Sequence, residues 1–172
     1  ANMMAAVANE GYYYTPHIIK QIKGRKIDTK YTTKHVTTID RKYFDPIVNG
    51  LFDVYNHGTA YGLGVPGLEI CGKTGTAENF AKINGKRVQL EDHSEFVAFA
   101  PRIQPKIAIA VIVENGHYGN TWAGPIATLM IEKYLNKKIT RKDLEKRMLE
   151  GNLNWQYRKL YPAKDSINKP KL

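Results

Sequence analysis

Cysteine is nearly missing from this 172-residue chain, and serine is almost as scarce. Cys71 stands alone, so no disulfide can form within the chain and the redox compartment cannot be read from it. No histidine or cysteine pair stands at metal-ligand spacing, neither H-x-x-x-H nor C-x-x-C, so neither a metal nor another cofactor is expected. No apolar run approaches the length of a membrane span, and no signal-peptide pattern is present. Acidic residues are outnumbered, 16 against 26 Lys and Arg, which gives a formal net charge of +10. The basic side chains are scattered and no nucleic-acid motif accompanies them. That favours a solvated basic surface, suited to anionic polymer or membrane, over a nucleic-acid interface. The apolar share, 42%, is ordinary for a globular domain, so a single buried core is expected rather than disorder.

One stretch demands a chemical explanation. Gly72-Lys73-Thr74-Gly75-Thr76-Ala77-Glu78 admits two readings. With the residues before it, Gly67 to Thr74 spells G-x-x-x-x-G-K-[ST], the phosphate-loop pattern. A phosphate loop needs a flexible turn that opens a helix, so that backbone N–H groups and the helix dipole meet the phosphate. Here Leu68 to Cys71 reads as strand, and Gly75 falls where the first helical turn would begin. In favour of a nucleotide site stands only Ile107 to Glu114, an apolar strand ending in an acid. The other reading puts Lys73-Thr74-Gly75 on an edge strand. Lys73 offers positive potential to an anionic group, Thr74 and Thr76 offer hydroxyls, and Gly75 lets a ligand lie against the backbone. A ligand added as an extra strand would also meet the N–H near Thr76 as an oxyanion donor. A nucleophile is missing. Cys71 beside Lys73 is a candidate, with His57, His93 or His117 as base, but a small buried hydrophobe is the commoner role on an apolar strand.

Lys73-Thr74-Gly75-Thr76-Ala77-Glu78 resembles the third motif of the penicillin-binding transpeptidases, whose nucleophile lies in an S-x-x-K motif and whose second motif is S-x-N. Asp92 to Pro101, Ile107 to Val113, Glu114-Asn115-Gly116 and Trp122 to Ala127 resemble the segments that follow it in class B members. Ala1 to Gly11 and Gly58-Thr59-Ala60 match as well, so the likeness spans roughly the first 135 residues in family order. The Asp92-His93 pair points to the elongation type. In this family both serine motifs precede the Lys-Thr-Gly strand, whereas Ser94 and Ser166 both follow it. Ser166-Ile167-Asn168-Lys169 spells S-x-x-K, but between Pro162 and Pro170 it has no helical periodicity. The resemblance therefore implies a C-terminal piece of a transpeptidase domain, inactive alone. The uncapped start at Ala1 fits a helix entered partway, and an anchor would lie upstream.

The resemblance further implies an α+β fold, an antiparallel sheet flanked by helices, with residues 1–136 forming the transpeptidase part and residues 137–172 a basic helical extension. It implies peptidoglycan D,D-transpeptidation through an acyl-serine on the outer face of the inner membrane. Lys73 and Thr76 would be catalytic, and Thr74, Gly75 and Thr76 would bind substrate. Partners would be the D-Ala-D-Ala stem peptide, β-lactams, the upstream chain and the cell-elongation machinery. A non-catalytic scaffold module that keeps the strand is the alternative. Two strands of the family sheet would come from upstream, leaving Ile107 to Val113 as an unpaired edge prone to self-association.

Periodicity supplies the rest. Phe44, Ile47, Val48, Leu51, Phe52 and Tyr55 predict a helix over about 40–56. Tyr12 to Ile22 reads as extended. Asn84-Gly85 signals a hairpin joining the motif strand to the next. Trp122 to Leu135 reads as helix with Pro125 in its first turn. Thr140 is expected to cap a charged helix reaching Glu150, stopped by Gly151.

Overall fold

The computed structural model describes residues 1–83 and 85–156. Its centre is a three-stranded antiparallel sheet in the order β3-β6-β7, with β3 at Cys71–Ala77, β6 at His93–Ala100 and β7 at Ile107–Val113. The register pairs Cys71 with Phe99 and Ala77 with His93 across β3 and β6, and Ala100 with Ile107 across β6 and β7. Side chains alternate between two faces, and both faces are covered. Phe96, Ala98 and Ala100 point to one side, where Ala123, Ala127 and Ile131 of α3 (Ala123–Asn136) meet them, together with Ala60, Leu63 and Ile70 from the segment before β3. Cys71 and Phe99 point to the other. There they pack on Met4 of α1 (Asn2–Ala8) and on Val48, Leu51 and Phe52 of α2 (Phe44–Asn56). Central burial on both sides explains why β6 reads as a near-continuous apolar run. Phe96 and Phe99 are fully buried and contribute roughly 2–3 kcal/mol each by leaving water.

Several local expectations need correcting. The helix foreseen from residue 40 begins at Phe44, after a short 3-10 turn at Arg41–Tyr43. Of the extended run after α1, only Tyr12–Tyr14 is a strand, β1, paired with β2 (Lys34–Val36). The hairpin around Gly85 exists, but it joins β4 (Phe80–Ile83) to β5 (Lys86–Gln89) as a separate ribbon inserted between β3 and β6. Two-residue turn signals identify a hairpin but not the sheet it joins. Thr140 caps nothing. Helix α4 (Lys142–Glu150) starts after Arg141 with no side-chain cap, and the Thr140 hydroxyl donates instead to Glu132. Gly151 does follow α4, yet with ordinary φ. A Cβ there would lie 2.5 Å from the Trp122 ring, so the glycine answers to space. Gly11, by contrast, has φ +111 and closes α1 through its N–H to the Ala6 carbonyl, as helix-ending glycines do. Asn84 and the Ser166 motif lie outside the described residues.

Candidate active site

β3 is an edge. It pairs with β6 on one side, and among the described residues no strand lies on the other. Cross-strand partners share a face, so Lys73 opposite Val97 and Gly75 opposite Glu95 look toward α2, while Thr74 opposite Phe96 and Thr76 opposite Ser94 look toward α3. Strand alternation alone would thus separate the lysine from the threonine hydroxyls. The side chain of Lys73 undoes that separation: its Nζ reaches 2.9 Å from the Thr74 carbonyl oxygen and 3.4 Å from Thr74 Oγ1. A second hydroxyl, Thr59 Oγ1, lies 2.6 Å from Thr74 Oγ1. An ammonium and two hydroxyls therefore meet at the open edge, a set suited to a carboxylate.

Thr59 was not among the candidate residues, although its Gly58-Thr59-Ala60 triplet carried part of the resemblance. Its position depends on a turn: Ala60 is fully buried, and its N–H donates to the Val54 carbonyl at the end of α2. Gly119 supports the same corner from the α3 side. A Cβ on it would overlap the Glu95 carbonyl oxygen and come within 2.9 Å of that of Gly75 and 3.0 Å of Thr74 Cβ. Only a glycine lets this loop lie against the two strands. Gly75 is crowded too. A Cβ there would fall 2.9 Å from the Glu95 carboxylate, so within the chain the missing side chain makes room for Glu95.

The alternatives fail on geometry. Gly72 to Thr74 lies within a strand that runs on to Ala77, and a further strand, β4, rather than a helix comes next, so the phosphate-loop reading is excluded. Cys71 is buried and its Sγ donates to the Val48 carbonyl at 3.6 Å. Burial, with Arg102 pulling the other way, pushes its thiol up to about 12, so no thiolate exists at neutral pH. His93 faces Ala77 at the opposite end of β3, roughly 20 Å away by strand rise. There its Nδ1 accepts from the Asn115 N–H, and the His117 N–H donates to the Asp92 carbonyl. This cluster ties the start of β6 to the turn after β7. Ser94 is buried and fully used: its Oγ donates to the Tyr118 carbonyl at 2.8 Å and accepts from the Ala123 N–H at 3.1 Å. A hollow of about 830 Å³ is lined by residues between Pro16 and Tyr31, none of them on β3. An open strand edge binds by main-chain pairing and needs no enclosed cavity.

This α+β arrangement, with helices on both faces of an antiparallel sheet, is shared in fold with solved penicillin-binding proteins. The chain belongs to the family of the penicillin-binding protein transpeptidase domain, whose profile matches residues 1–132. It is similar to peptidoglycan D,D-transpeptidase MrdA of Acinetobacter baumannii, 35% identical over 150 residues, covering 80% of this chain and 21% of the relative. Among solved structures it is similar to Pseudomonas aeruginosa PBP2 in complex with WCK 5153, at 31% identity and TM-score 0.61, covering 81% of this chain and 30% of that one. It is also similar to the imipenem acyl-enzyme of penicillin-binding protein A from M. tuberculosis, at 28% identity and TM-score 0.62, covering 78% of this chain and 29% of that one. The chain thus spans under a quarter of the length of the MrdA relative, and α4 lies beyond the family match.

Proposed function

We propose that this chain is the Lys-Thr-Gly part of a D,D-transpeptidase that cross-links peptidoglycan stem peptides and is acylated by β-lactams. The observation that carries this is the meeting of Lys73 Nζ, Thr74 Oγ1 and Thr59 Oγ1 at the free edge of β3. A stem peptide ending in D-Ala-D-Ala presents a carboxylate next to a reacting carbonyl. Lying along β3 as an added strand, it puts the carboxylate within reach of Lys73 and the hydroxyls of Thr74 and Thr76, and its carbonyl oxygen by the Thr76 N–H. A serine from upstream chain attacks that carbonyl. The C–N bond to the terminal D-Ala breaks, that residue leaves as the amine, and the acyl group passes to the amine of a second stem peptide. Lys73 stabilises negative charge throughout; the Thr76 N–H stabilises the oxyanion of each tetrahedral intermediate. On this reading the protein works outside the cytoplasm, on the periplasmic face of the inner membrane, and its likeness to MrdA and PBP2 supports a role with the cell-elongation machinery. Residues 137–172 form an extension to the catalytic unit.

Intact mass after incubation with benzylpenicillin tests the reading, on this chain and on the full-length product of the same gene. An adduct on the full-length protein alone is expected. Absence of adduct from both would sink the transpeptidase reading in favour of a non-catalytic module, and an adduct on the short chain would reveal a nucleophile within it.

A further inference from the structure

Glu132 is the most deeply buried charged residue described here: on α3 and without exposed surface, it is surrounded by donors. Its Oε1 accepts from the Thr140 N–H at 2.7 Å and the Thr140 hydroxyl at 2.6 Å, and its Oε2 accepts from Arg141 Nε at 3.0 Å. A buried carboxylate needs such a partner, so the pair fixes the direction of the Arg141 fork. The fork does not stop at Glu132. Arg141 Nη1 donates to the Leu63 carbonyl at 3.0 Å, with the Gly64 carbonyl at 3.5 Å and Thr128 Oγ1 at 3.3 Å. Leu63 belongs to the loop that carries Thr59, and its side chain fills the gap over Gly124 of α3, where a Cβ would come within 2.6 Å of it. Between Thr59 and Leu63 the backbone is turned tightly, with Tyr61 N–H to Gly58 and Leu63 N–H to Ala60. One end of this short turn is held by Arg141 and the other presents Thr59 to Thr74.

We propose that Arg141 is a positioning residue for the open strand edge: anchored by Glu132, it holds the loop from Gly58 to Gly64 so that Thr59 meets Thr74. Arg141 and Thr140 lie outside residues 1–132, the part of the chain that the family profile matches. It touches no substrate. Its effect is to keep the Thr74 hydroxyl oriented before the ligand arrives, which lowers the ordering cost of binding and reaction. The guanidinium suits this task because one planar fork serves a carboxylate and carbonyls together; a lysine ammonium cannot span both.

This rests on the transpeptidase reading, and the test separates the two. The second-order rate of acylation by a fluorescent penicillin would be measured on the full-length protein, for wild type, Arg141→Lys, Thr59→Val and the double variant. Arg141→Lys is expected to slow acylation about tenfold, one such factor being the equivalent of a single well-oriented contact, while every molecule still becomes labelled at long times. In the Thr59→Val background the same change is expected to cost nothing further, since both act through one contact. A merely structural Arg141 would lower the melting temperature and leave the rate of the folded protein unchanged, or slow it equally in both backgrounds; either result overturns the positioning role. Should Arg141→Lys melt below the assay temperature, the cycle is run with Glu132→Gln and Arg141→Gln together, which removes both charges at once. A wild type that is never labelled overturns the transpeptidase reading itself.

Discussion

A hydroxyl that both donates and accepts inside the core cannot be a nucleophile without first breaking what it holds. Ser94 is in that position, since its two hydrogen bonds join the loop at Tyr118 and the first N–H of α3 to β6. Removing the oxygen leaves the Ala123 N–H and Tyr118 carbonyl without it, at a cost of about 1–3 kcal/mol for an unsatisfied buried group. Ser94→Ala is therefore expected to lose stability in that range in urea unfolding, with the slope of the transition unchanged. In the full-length protein it is expected to retain β-lactam acylation. Loss of acylation with unaltered stability would reverse this assignment and make Ser94 a reacting group. At the same scale the sequence was a partial guide. It singled out Lys73, Thr74, Gly75 and Thr76 as candidates by type and order, because a rare cluster of small, hydroxyl and cationic residues is conspicuous. It could not show that Lys73 bends around the strand edge, since alternation puts it on the other face from Thr74.

At the scale of elements, the two outer strands carry different consequences. The β3 edge is pressed from the α3 side by the loop at Gly119, whose backbone lies against Glu95 and Gly75. No rotamer relieves a clash between a Cβ and two backbone carbonyls. Gly119→Ala is accordingly expected to destabilise the chain by about 2 kcal/mol or more, in the range of overpacked cores, with a matching fall in denaturant midpoint. A neutral Gly119→Ala would mean the loop can retreat. The β7 edge has β6 on one side and, among the described residues, no strand on the other. Ile112 on it is 65% exposed. Such an edge is a template for another strand, and we expect the isolated chain to self-associate with increasing concentration in sedimentation. Ile112→Lys, which adds charge to the edge, is expected to shift the population back toward monomer. Concentration-independent monomer for the parent chain would show that β7 is covered in some other way.

For the molecule as a whole, legibility followed distance along the chain. α2 and α3 were readable from their helical periodicity, β6 and β7 from their apolar runs, and β3 from its motif. The contacts that join them were not. Thr59 meets Thr74 only once α2 and β3 have packed, and Thr140 looked like a helix cap because nothing local shows that Glu132, buried on the preceding helix, takes its hydroxyl. That buried carboxylate also gives the molecule a pH dependence. Burial pushes the Glu132 carboxyl up, but the hydroxyl and N–H of Thr140 and the Arg141 guanidinium pull it down further, and the net value lies below the ordinary 4.5. A carboxyl that binds its proton less readily in the folded state than in the unfolded one contributes stability that is fully present above pH 4.5. That contribution is lost as pH falls through the lower folded value. Glu132→Gln removes the charge, leaving a part-buried Arg141 beside a neutral amide, and is expected to cost about 3 kcal/mol at pH 7. As the solution is acidified, wild type loses its carboxylate while the variant has none to lose, so the difference in urea midpoint between them should shrink steadily below pH 4.5. Other carboxylates titrate in the same range, but they do so in both proteins and cancel in the difference. A gap that stays constant from pH 7 down to pH 3.5 would mean that the Glu132–Arg141 pair contributes shape alone, and that the charge linking α3 to α4 and to the loop beside β3 is dispensable.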